Sequence, residues 1–102
     1  MSINIGSYPF EGPYGNPANL ANKSGVYAVL TRATANDNYS VLDIGESGMV
    51  RDRLSNHDRQ TSWGRLRKPA GLAFAAYYCD EAMRMAIERM LRDKYNPPCG
   101  ER

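Results

Sequence analysis

The order of apolar and polar residues along the chain predicts three β-strands. Residues 26–31 (VYAVLT) follow Gly25 and are rich in β-branched and aromatic side chains, which is typical of a strand. Residues 39–44 (YSVLDI) come after the turn-forming segment 35–38 (ANDN), so the first two strands are expected to form a hairpin. Residues 72–78 (LAFAAYY) have the length and the tyrosines of a buried strand.

A helical spacing of side chains follows the second strand. Val50, Leu54 and His57 fall on one face of a helix over about residues 49–59. Ser47 precedes this segment and is a candidate N-cap, because its hydroxyl can accept a hydrogen bond from a free backbone N–H. The sequence therefore predicts a short helix directly after the hairpin.

The clearest helical pattern lies near the C-terminus. Asp80 is a strong N-cap candidate, the helix is expected to run to about Tyr95, and Pro97 and Pro98 end it. Apolar residues recur there at helical spacing and predict the face that packs on the sheet. These residues are Ala82, Met83, Ala86, Ile87, Met90 and Leu91.

Two segments lack any periodicity. Residues 1–22 contain three prolines, the last at Pro17, and three glycines, the last at Gly15. Because both residue types disfavour regular helices and strands, we expect an irregular N-terminal arm. Residues 60–71 contain Gly64 and Pro69, and we expect a loop there.

The predicted fold is α+β. Its elements follow the order β-β-α-β-α and give a small three-stranded antiparallel sheet flanked by helices. The chain has 102 residues, which is enough for one domain, here residues 23–102, preceded by the irregular arm 1–22.

Charge changes the picture only locally. The net charge is +2, but residues 51–68 hold six basic and two acidic side chains, a local charge of +4. We call residues 51–68 the basic segment. Charge alone fits a phosphate-facing surface and a solvated loop about equally well.

Composition excludes several classes of protein. No apolar run approaches the roughly 20 residues that a membrane helix needs. Residues 1–10 lack the basic and apolar blocks of a secretory signal, so none is expected. Cys79 and Cys99 are too few for a disulfide scaffold or a zinc cluster, and two reduced thiols predict a cytoplasmic protein.

A set of short motifs carries candidate chemistry. Residues 25–27 (GVY) open the first strand and residues 43–45 (DIG) close the second. Arg53 follows that second motif by eight residues, and His57 lies one helical turn further on. Glu88 lies in the last predicted helix.

This arrangement resembles the GIY-YIG nuclease superfamily, the domain type of excision-repair nucleases and certain intron homing endonucleases. The resemblance covers residues 25–100. Each motif is short, and the resemblance depends on their order and spacing together with the order of the predicted elements. It implies a metal-dependent endonuclease that hydrolyses DNA with Mg²⁺ or Mn²⁺.

The resemblance also implies roles for five positions. Tyr27 would line the active site as a general base or as a group that orients the attacking water. Gly45 would let the backbone turn tightly into the helix. Arg53 would contact the scissile phosphate, His57 would handle a proton, and Glu88 would bind the metal.

These residue types suit phosphodiester hydrolysis. The transition state places negative charge on phosphate oxygens, which a permanently charged guanidinium such as that of Arg53 stabilises. Mg²⁺ prefers oxygen ligands and retains most of its waters, so the carboxylate of Glu88 can suffice. Each residue also has an ordinary structural interpretation: Glu88, for example, lies four residues from both Arg84 and Arg92 and could form surface ion pairs.

The basic segment would supply the contacts to DNA in this interpretation. Its candidate nucleic-acid-binding residues are Arg51, Arg59, Trp63, Arg65, Arg67 and Lys68. A chain of this length has no room for a separate specificity domain, so a homodimer, a partner protein or a structure-specific substrate would supply selectivity.

Three positions differ from the family pattern. Asp43 stands where a tyrosine is usual, Glu46 where some members have lysine, and Gly100 where the family has asparagine. Asp43 could add a metal ligand. Alternatively, the domain could be a catalytically altered module that binds nucleic acid or a protein partner. A third hypothesis makes residues 45–48 an anion site for a small phosphorylated ligand.

Overall fold

A five-stranded antiparallel sheet with helices on both faces forms the framework of the protein. The structure is a computed structural model and describes residues 1–100. Among these residues, none of the helices has both the length and the apolar character needed to cross a bilayer. In chain order the strands and α-helices are β1 (Ser2–Ile5), β2 (Tyr8–Tyr14), β3 (Gly25–Thr31), β4 (Ser40–Ser47), α1 (Val50–Ser55), α2 (Gln60–Leu66), β5 (Leu72–Tyr78) and α3 (Glu81–Tyr95).

The strands lie side by side in the order β1-β2-β5-β3-β4, and each neighbouring pair is antiparallel. The α+β class and the three strands predicted from apolar runs are confirmed as β3, β4 and β5. β3 is buried along its whole length because it lies between β4 and β5 and is covered on both faces. In the register of this sheet, Tyr27 lies opposite Gly45 on one side and Ala76 on the other.

The prediction of an irregular N-terminal arm is wrong, and with it the prediction of a three-stranded sheet. The segment folds into the β1–β2 hairpin, which turns at Gly6 (φ +64°) and adds two strands to the sheet. Phe10 is fully buried in the core, which favours pairing of this segment with β5. Pro13 is tolerated because it falls where the register shifts between Glu11 and Tyr14, a site that does not require a regular ladder hydrogen bond.

The predicted loop over residues 60–71 is also wrong in part, because α2 occupies Gln60–Leu66. Gly64 disfavours a helix by about 1 kcal/mol relative to alanine, but burial of the Trp63 side chain outweighs that cost. The elements therefore follow the order β-β-β-β-α-α-β-α rather than β-β-α-β-α.

The first predicted helix is shorter than expected. β4 continues to Ser47, so the strand does not end at Gly45, and α1 ends at Ser55. Met49 occupies the N-cap position, while the Ser47 hydroxyl accepts a hydrogen bond from the Met49 backbone N–H at 3.0 Å.

The core is divided by the sheet into two layers. Under α3 lies a layer built mainly from aliphatic side chains of the strands: Ile5, Val26, Ala28, Leu30, Ile44, Ala75, Ile87 and Leu91. Under α1, α2 and the 3-10 turn Pro17–Asn19 lies a layer rich in large side chains: Leu20, Tyr27, Val29, Leu42, Val50, Leu54, Trp63 and Phe74.

α3 begins as predicted but is rotated relative to its predicted face. The Asp80 side chain accepts a hydrogen bond from the Met83 N–H at 2.9 Å, which confirms the N-cap. Ile87 and Leu91 are buried, whereas Met83, Met90 and both alanines of the predicted face are exposed. The rotation brings a row of charged residues toward the acidic side chains of β4. This row is Arg84, Glu88 and Arg92, one helical turn apart.

Candidate functional site

The site is centred on Tyr27, in the middle of β3. Its ring lies over Gly45 of β4, the residue directly opposite in the sheet. A Cβ atom at residue 45 would lie 2.1 Å from the Tyr27 hydroxyl oxygen and 2.2 Å from Cζ, far inside van der Waals contact. Gly45 therefore provides space for the tyrosine ring. This role differs from the predicted one, a tight turn of the backbone into the helix.

Tyr27 contacts His57 behind it. The Tyr27 Oη lies 2.7 Å from Nε2 of His57, and the His57 side chain is fully buried. The backbone N–H of Arg59 donates to Nδ1 of His57 at 3.0 Å. Because Nδ1 is an acceptor, the proton of the neutral imidazole is on Nε2, which donates it to the Tyr27 hydroxyl.

Both rings stay uncharged near neutral pH. Burial and the positive charges of Arg59 and Arg53 lower the pKa of His57 to about 4, although Asp43 and Asp58 act in the opposite direction. The His57 side chain is thus positioned to orient Tyr27, and it does not reach the cleft surface itself.

Burial and the charge of Asp43 raise the pKa of Tyr27 to about 12, and Arg53 and Arg59 offset part of that rise. Tyr27 therefore carries its proton at neutral pH. Since His57 already donates to its oxygen, the hydroxyl hydrogen of Tyr27 is left to donate elsewhere.

Arg53 comes from α1 and is the most exposed guanidinium of the site. Its Nη2 lies 3.2 Å from Oδ1 of Asp58, in an ion pair whose side chains are 39% and 76% exposed. Exposed pairs of this kind contribute only about 0–1 kcal/mol. An anionic ligand can therefore replace the Asp58 carboxylate at low cost.

Asp43 is a buried acceptor for several side chains. Its Oδ2 accepts hydrogen bonds from Nε of Arg59 and from Nε1 of Trp63, both at 2.8 Å. Its Oδ1 accepts from Nη2 of Arg92 and from Nη2 of Arg59. Asp43 is thus occupied by two arginines and an indole, which argues against its service as a metal ligand.

Two glutamates lie at the edge of the site. Arg92 donates from Nε to Oε2 of Glu88 at 3.0 Å, and the Glu88 side chain remains a quarter exposed. Arg84 donates from Nε to Oε1 of Glu46 at 2.7 Å. The ion pair expected between Glu88 and Arg92 is present, whereas Arg84 pairs with Glu46.

These side chains surround one open cleft of about 640 Å³. Three of the four predicted catalytic residues, Tyr27, Arg53 and Glu88, line it together, and His57 supports Tyr27 from behind. The remainder of the lining consists of Gly45, Glu46, Asp58, Arg59, Arg92 and Gly100.

Only one of the candidate nucleic-acid-binding residues, Arg59, reaches this cleft. Trp63 is 1% exposed and belongs to the core, so its ring is inaccessible to nucleobases. Arg65 borders a smaller groove of about 210 Å³ that shares Gly100 with the cleft. Arg51, Arg67 and Lys68 lie exposed on the surface outside the cleft.

Sequence reasoning missed Arg92. Its guanidinium is buried between Asp43, Glu88 and the backbone carbonyl of Cys99, to which Nη1 donates at 3.1 Å. Gly100 (φ +88°) passes so close that a Cβ there would lie 2.2 Å from Nη2 of Arg92. The one signal in the sequence was the four-residue spacing between Glu88 and Arg92.

A metal site made of protein side chains alone is not evident in this cleft. Among residues 1–100, no group of three or more histidine, cysteine, aspartate or glutamate side chains is close enough to hold an ion. Three carboxylates, those of Glu46, Asp58 and Glu88, line the cleft, and one oxygen of Glu88 accepts a hydrogen bond from Arg92.

Comparisons with protein-family models, with curated proteins and with solved structures gave no match to this chain.

Proposed function

We propose that the protein is a divalent-metal-dependent endonuclease domain that hydrolyses DNA phosphodiester bonds. The observation that supports this proposal is the convergence of Tyr27, Arg53 and Glu88 on one cleft, from β3, α1 and α3 respectively. These residues are separated by up to 61 positions in the chain, so the cleft is a product of the fold and not of local sequence.

The cleft arginines would bind the scissile phosphate. Arg53 is the most exposed of these arginines, and its planar guanidinium can form two parallel hydrogen bonds to phosphate oxygens. Arg59 and Arg92 are held in place by Asp43 and add fixed positive charge at the wall of the cleft. Preorganised positive charge of this kind stabilises negative charge that develops in a transition state.

Glu88 would hold the cation, Mg²⁺ or Mn²⁺. The donor fits, because a partly exposed carboxylate is the ligand type that these hard cations prefer. When bound, the cation would polarise a phosphate oxygen and lower the pKa of a coordinated water.

Tyr27 would orient the substrate or the attacking water as a hydrogen-bond donor. Its pKa of about 12 keeps it protonated, so it does not serve as the general base at neutral pH. His57 fixes the hydroxyl through Nε2, and the hydrogen bond from the Arg59 N–H to Nδ1 fixes the tautomer of His57. In this proposal His57 is a positioning residue.

The test is cleavage of plasmid DNA, as supercoiled duplex and as single-stranded circles, by purified protein with Mg²⁺ or Mn²⁺. We expect Arg53→Ala and Glu88→Gln each to lower the rate by at least about 100-fold, the scale seen when a charge-stabilising group is removed. Glu81→Gln is the matched control for Glu88→Gln, because it removes the same group from an exposed position on α3 outside the cleft. Arg32→Ala is the control for Arg53→Ala, because Arg32 lies outside both the cleft and the basic segment. Nicking that is equal in wild type, Arg53→Ala and Glu88→Gln would overturn the proposal.

A second candidate function is a module of the same fold that binds nucleic acid or a protein partner without cleaving. The specific observation in its favour is that neither Tyr27 nor His57 presents a free basic atom to the cleft at neutral pH. It predicts no metal-dependent nicking but DNA binding that weakens steeply with salt, because each phosphate contact releases counterions.

We further propose that the protein acts in the cytoplasm and that a second copy or a partner protein supplies its DNA selectivity. Both cysteines, Cys79 and Cys99, are free thiols, as expected of a protein in a reducing compartment.

A further inference from the structure

We propose that a groove beside the cleft binds a nucleobase, so that the substrate of the site is single-stranded DNA rather than intact duplex. This inference rests on the proposed function. The groove has a volume of about 540 Å³ and runs along the exposed side of α3. It is lined by Met85, Ala86, Arg89, Met90 and Asp93, together with Glu46 and Glu88.

The groove and the cleft are neighbours with a shared boundary. Glu46 and Glu88 line both of them. A DNA chain with one phosphate against Arg53 therefore crosses this boundary as it leaves the cleft on the side of α3. The nucleoside next to the bound phosphate is the part that reaches the groove.

The acidic residues at this boundary determine which part of a DNA chain is accommodated there. Three carboxylates, those of Glu46, Glu88 and Asp93, and one guanidinium, that of Arg89, line the groove, so a neutral base and its sugar are accommodated there more easily than a second phosphate. Carboxylate oxygens also accept hydrogen bonds from the amino group of a base such as cytosine. The boundary thus favours a base over a backbone segment.

The remainder of the groove suits an aromatic ring. Met85 and Met90 are 56% and 46% exposed, so both are accessible to a ligand. Methionine sulfur makes favourable contacts with aromatic rings, and its flexible chain adapts to different bases. The guanidinium of Arg89 can stack on the face of a base.

Only an unpaired base can enter such a groove. In an intact duplex each base is stacked and paired inside the helix, and moving it into a protein pocket breaks both interactions. A base of a single strand has no pairing to break. The geometry therefore favours single-stranded DNA or the single-stranded part of a branched substrate.

The experiment measures binding of fluorescent oligonucleotides by anisotropy, in EDTA so that cleavage does not interfere. The three probes are oligo(dC) of about 12 nucleotides, an abasic chain of the same length and a blunt duplex. A length of about 12 nucleotides lies within the range of single-strand binding sites. We expect oligo(dC) to bind about tenfold tighter than either of the others, because it alone offers unpaired bases that can stack in the groove.

Met85→Ala is the variant that tests the groove, and Met83→Ala is its matched control. Met83 is also exposed on α3, but it lies outside the groove. Both substitutions are expected to preserve the helix, because alanine has the highest helix propensity. We expect Met85→Ala to weaken oligo(dC) binding about fivefold to tenfold and to leave abasic binding unchanged, whereas Met83→Ala changes neither.

Several results would overturn the inference. Equal affinity of the wild type for oligo(dC) and the abasic chain would do so, as would identical behaviour of the two methionine variants. A particle mass of two chains by light scattering that returns to one chain in Met85→Ala would show that a second copy covers the groove. These results are separable from failure of the proposed function, which the plasmid assay with Arg53→Ala and Glu88→Gln reports independently.

Discussion

Gly45 and Tyr27 face each other across the β3–β4 pair, and the ring of Tyr27 fills the volume that any side chain at residue 45 would need. The close approach of the two residues sets the position of the Tyr27 hydroxyl, which in turn meets Nε2 of His57. A glycine in the interior of a strand weakens the strand, so its presence here reflects a requirement for space.

The first prediction is that Gly45→Ala destabilises the protein and displaces Tyr27. The added methyl group would lie 2.1 Å from the Tyr27 hydroxyl oxygen, so the ring must move. Overpacking of a core costs about 1–3 kcal/mol, and we expect the upper part of that range in urea unfolding at an unchanged m-value. Gly48→Ala is the control, since a Cβ there meets no atom within 4 Å, and we expect a change below about 0.5 kcal/mol. Equal stabilities of the two variants would contradict the packing described here.

The second prediction compares two aspartates that both pair with arginine. Asp43→Asn leaves the buried guanidinium of Arg92 and the half-buried one of Arg59 without a full counter-charge. Loss of one partner of a buried ion pair costs about 3–5 kcal/mol, and we expect at least about 3 kcal/mol in urea unfolding. Asp58→Asn removes an exposed carboxylate that pairs with Arg53 and also lies 3.1 Å from Nδ1 of His57, which is neutral near pH 7, and it should cost less than about 1 kcal/mol.

Asp58→Asn has a second consequence that distinguishes the two variants further. Because it frees the Arg53 guanidinium, we expect DNA binding to become tighter, not weaker, in low salt. Weaker binding by Asp58→Asn would show that the Asp58 carboxylate contributes to the site in some other way than by competing with phosphate.

The sequence predicted correctly those elements whose conformation depends on a few consecutive residues. The β-branched run of residues 26–31 forms β3, and the Asp80 side chain caps α3, because each depends on a few consecutive residues. The N-terminal hairpin was missed because its prolines and glycines suggest irregular structure. Tertiary pairing with β5 and burial of Phe10 decide its conformation instead.

The predicted buried face of α3 is wrong in part. Ile87 and Leu91 are buried as expected, but Arg84 and Arg92 take the place of the exposed methionines against the sheet. Arg84 and Arg92 turn toward the sheet since Glu46 and Asp43 of β4 provide their counter-charges. These contacts join residues 38 and 49 positions apart in the chain, and helical periodicity contains no information about them. The predicted site residues Tyr27, Arg53 and Glu88 do meet, but the arginine–aspartate framework behind them could not be found from spacing.

The third prediction concerns Trp63, which is the one tryptophan of the chain and therefore a clean fluorescent probe. Its side chain is 1% exposed and its indole N–H donates to Asp43. We expect acrylamide to quench its emission far less in the native protein than in urea. Saturation with DNA should leave that quenching unchanged, because the ring does not contact the ligand. Further shielding by DNA would contradict the buried position of Trp63.

The fourth prediction is a loss of stability between about pH 6.5 and pH 4 that arises from His57. The pKa of this imidazole is lowered from 6.5 to about 4 by burial and by the charges of Arg59 and Arg53. In this window the unfolded chain binds a proton that the folded protein does not, so the free energy of unfolding falls as the pH is lowered. The loss should approach about 3 kcal/mol, because a difference of one unit in pKa corresponds to about 1.4 kcal/mol, and it should level off below about pH 4.

Urea unfolding at a series of pH values checks this expectation, with His57→Gln as the comparison. Glutamine is neutral at every pH and retains an N–H group that can donate toward Tyr27, so the variant should be less stable than wild type at pH 7 but should lack the slope between pH 6.5 and 4. The two stability curves should therefore converge as the pH is lowered. Parallel curves would mean that other groups cause the acid sensitivity, and that the His57 imidazole is not held neutral by its surroundings.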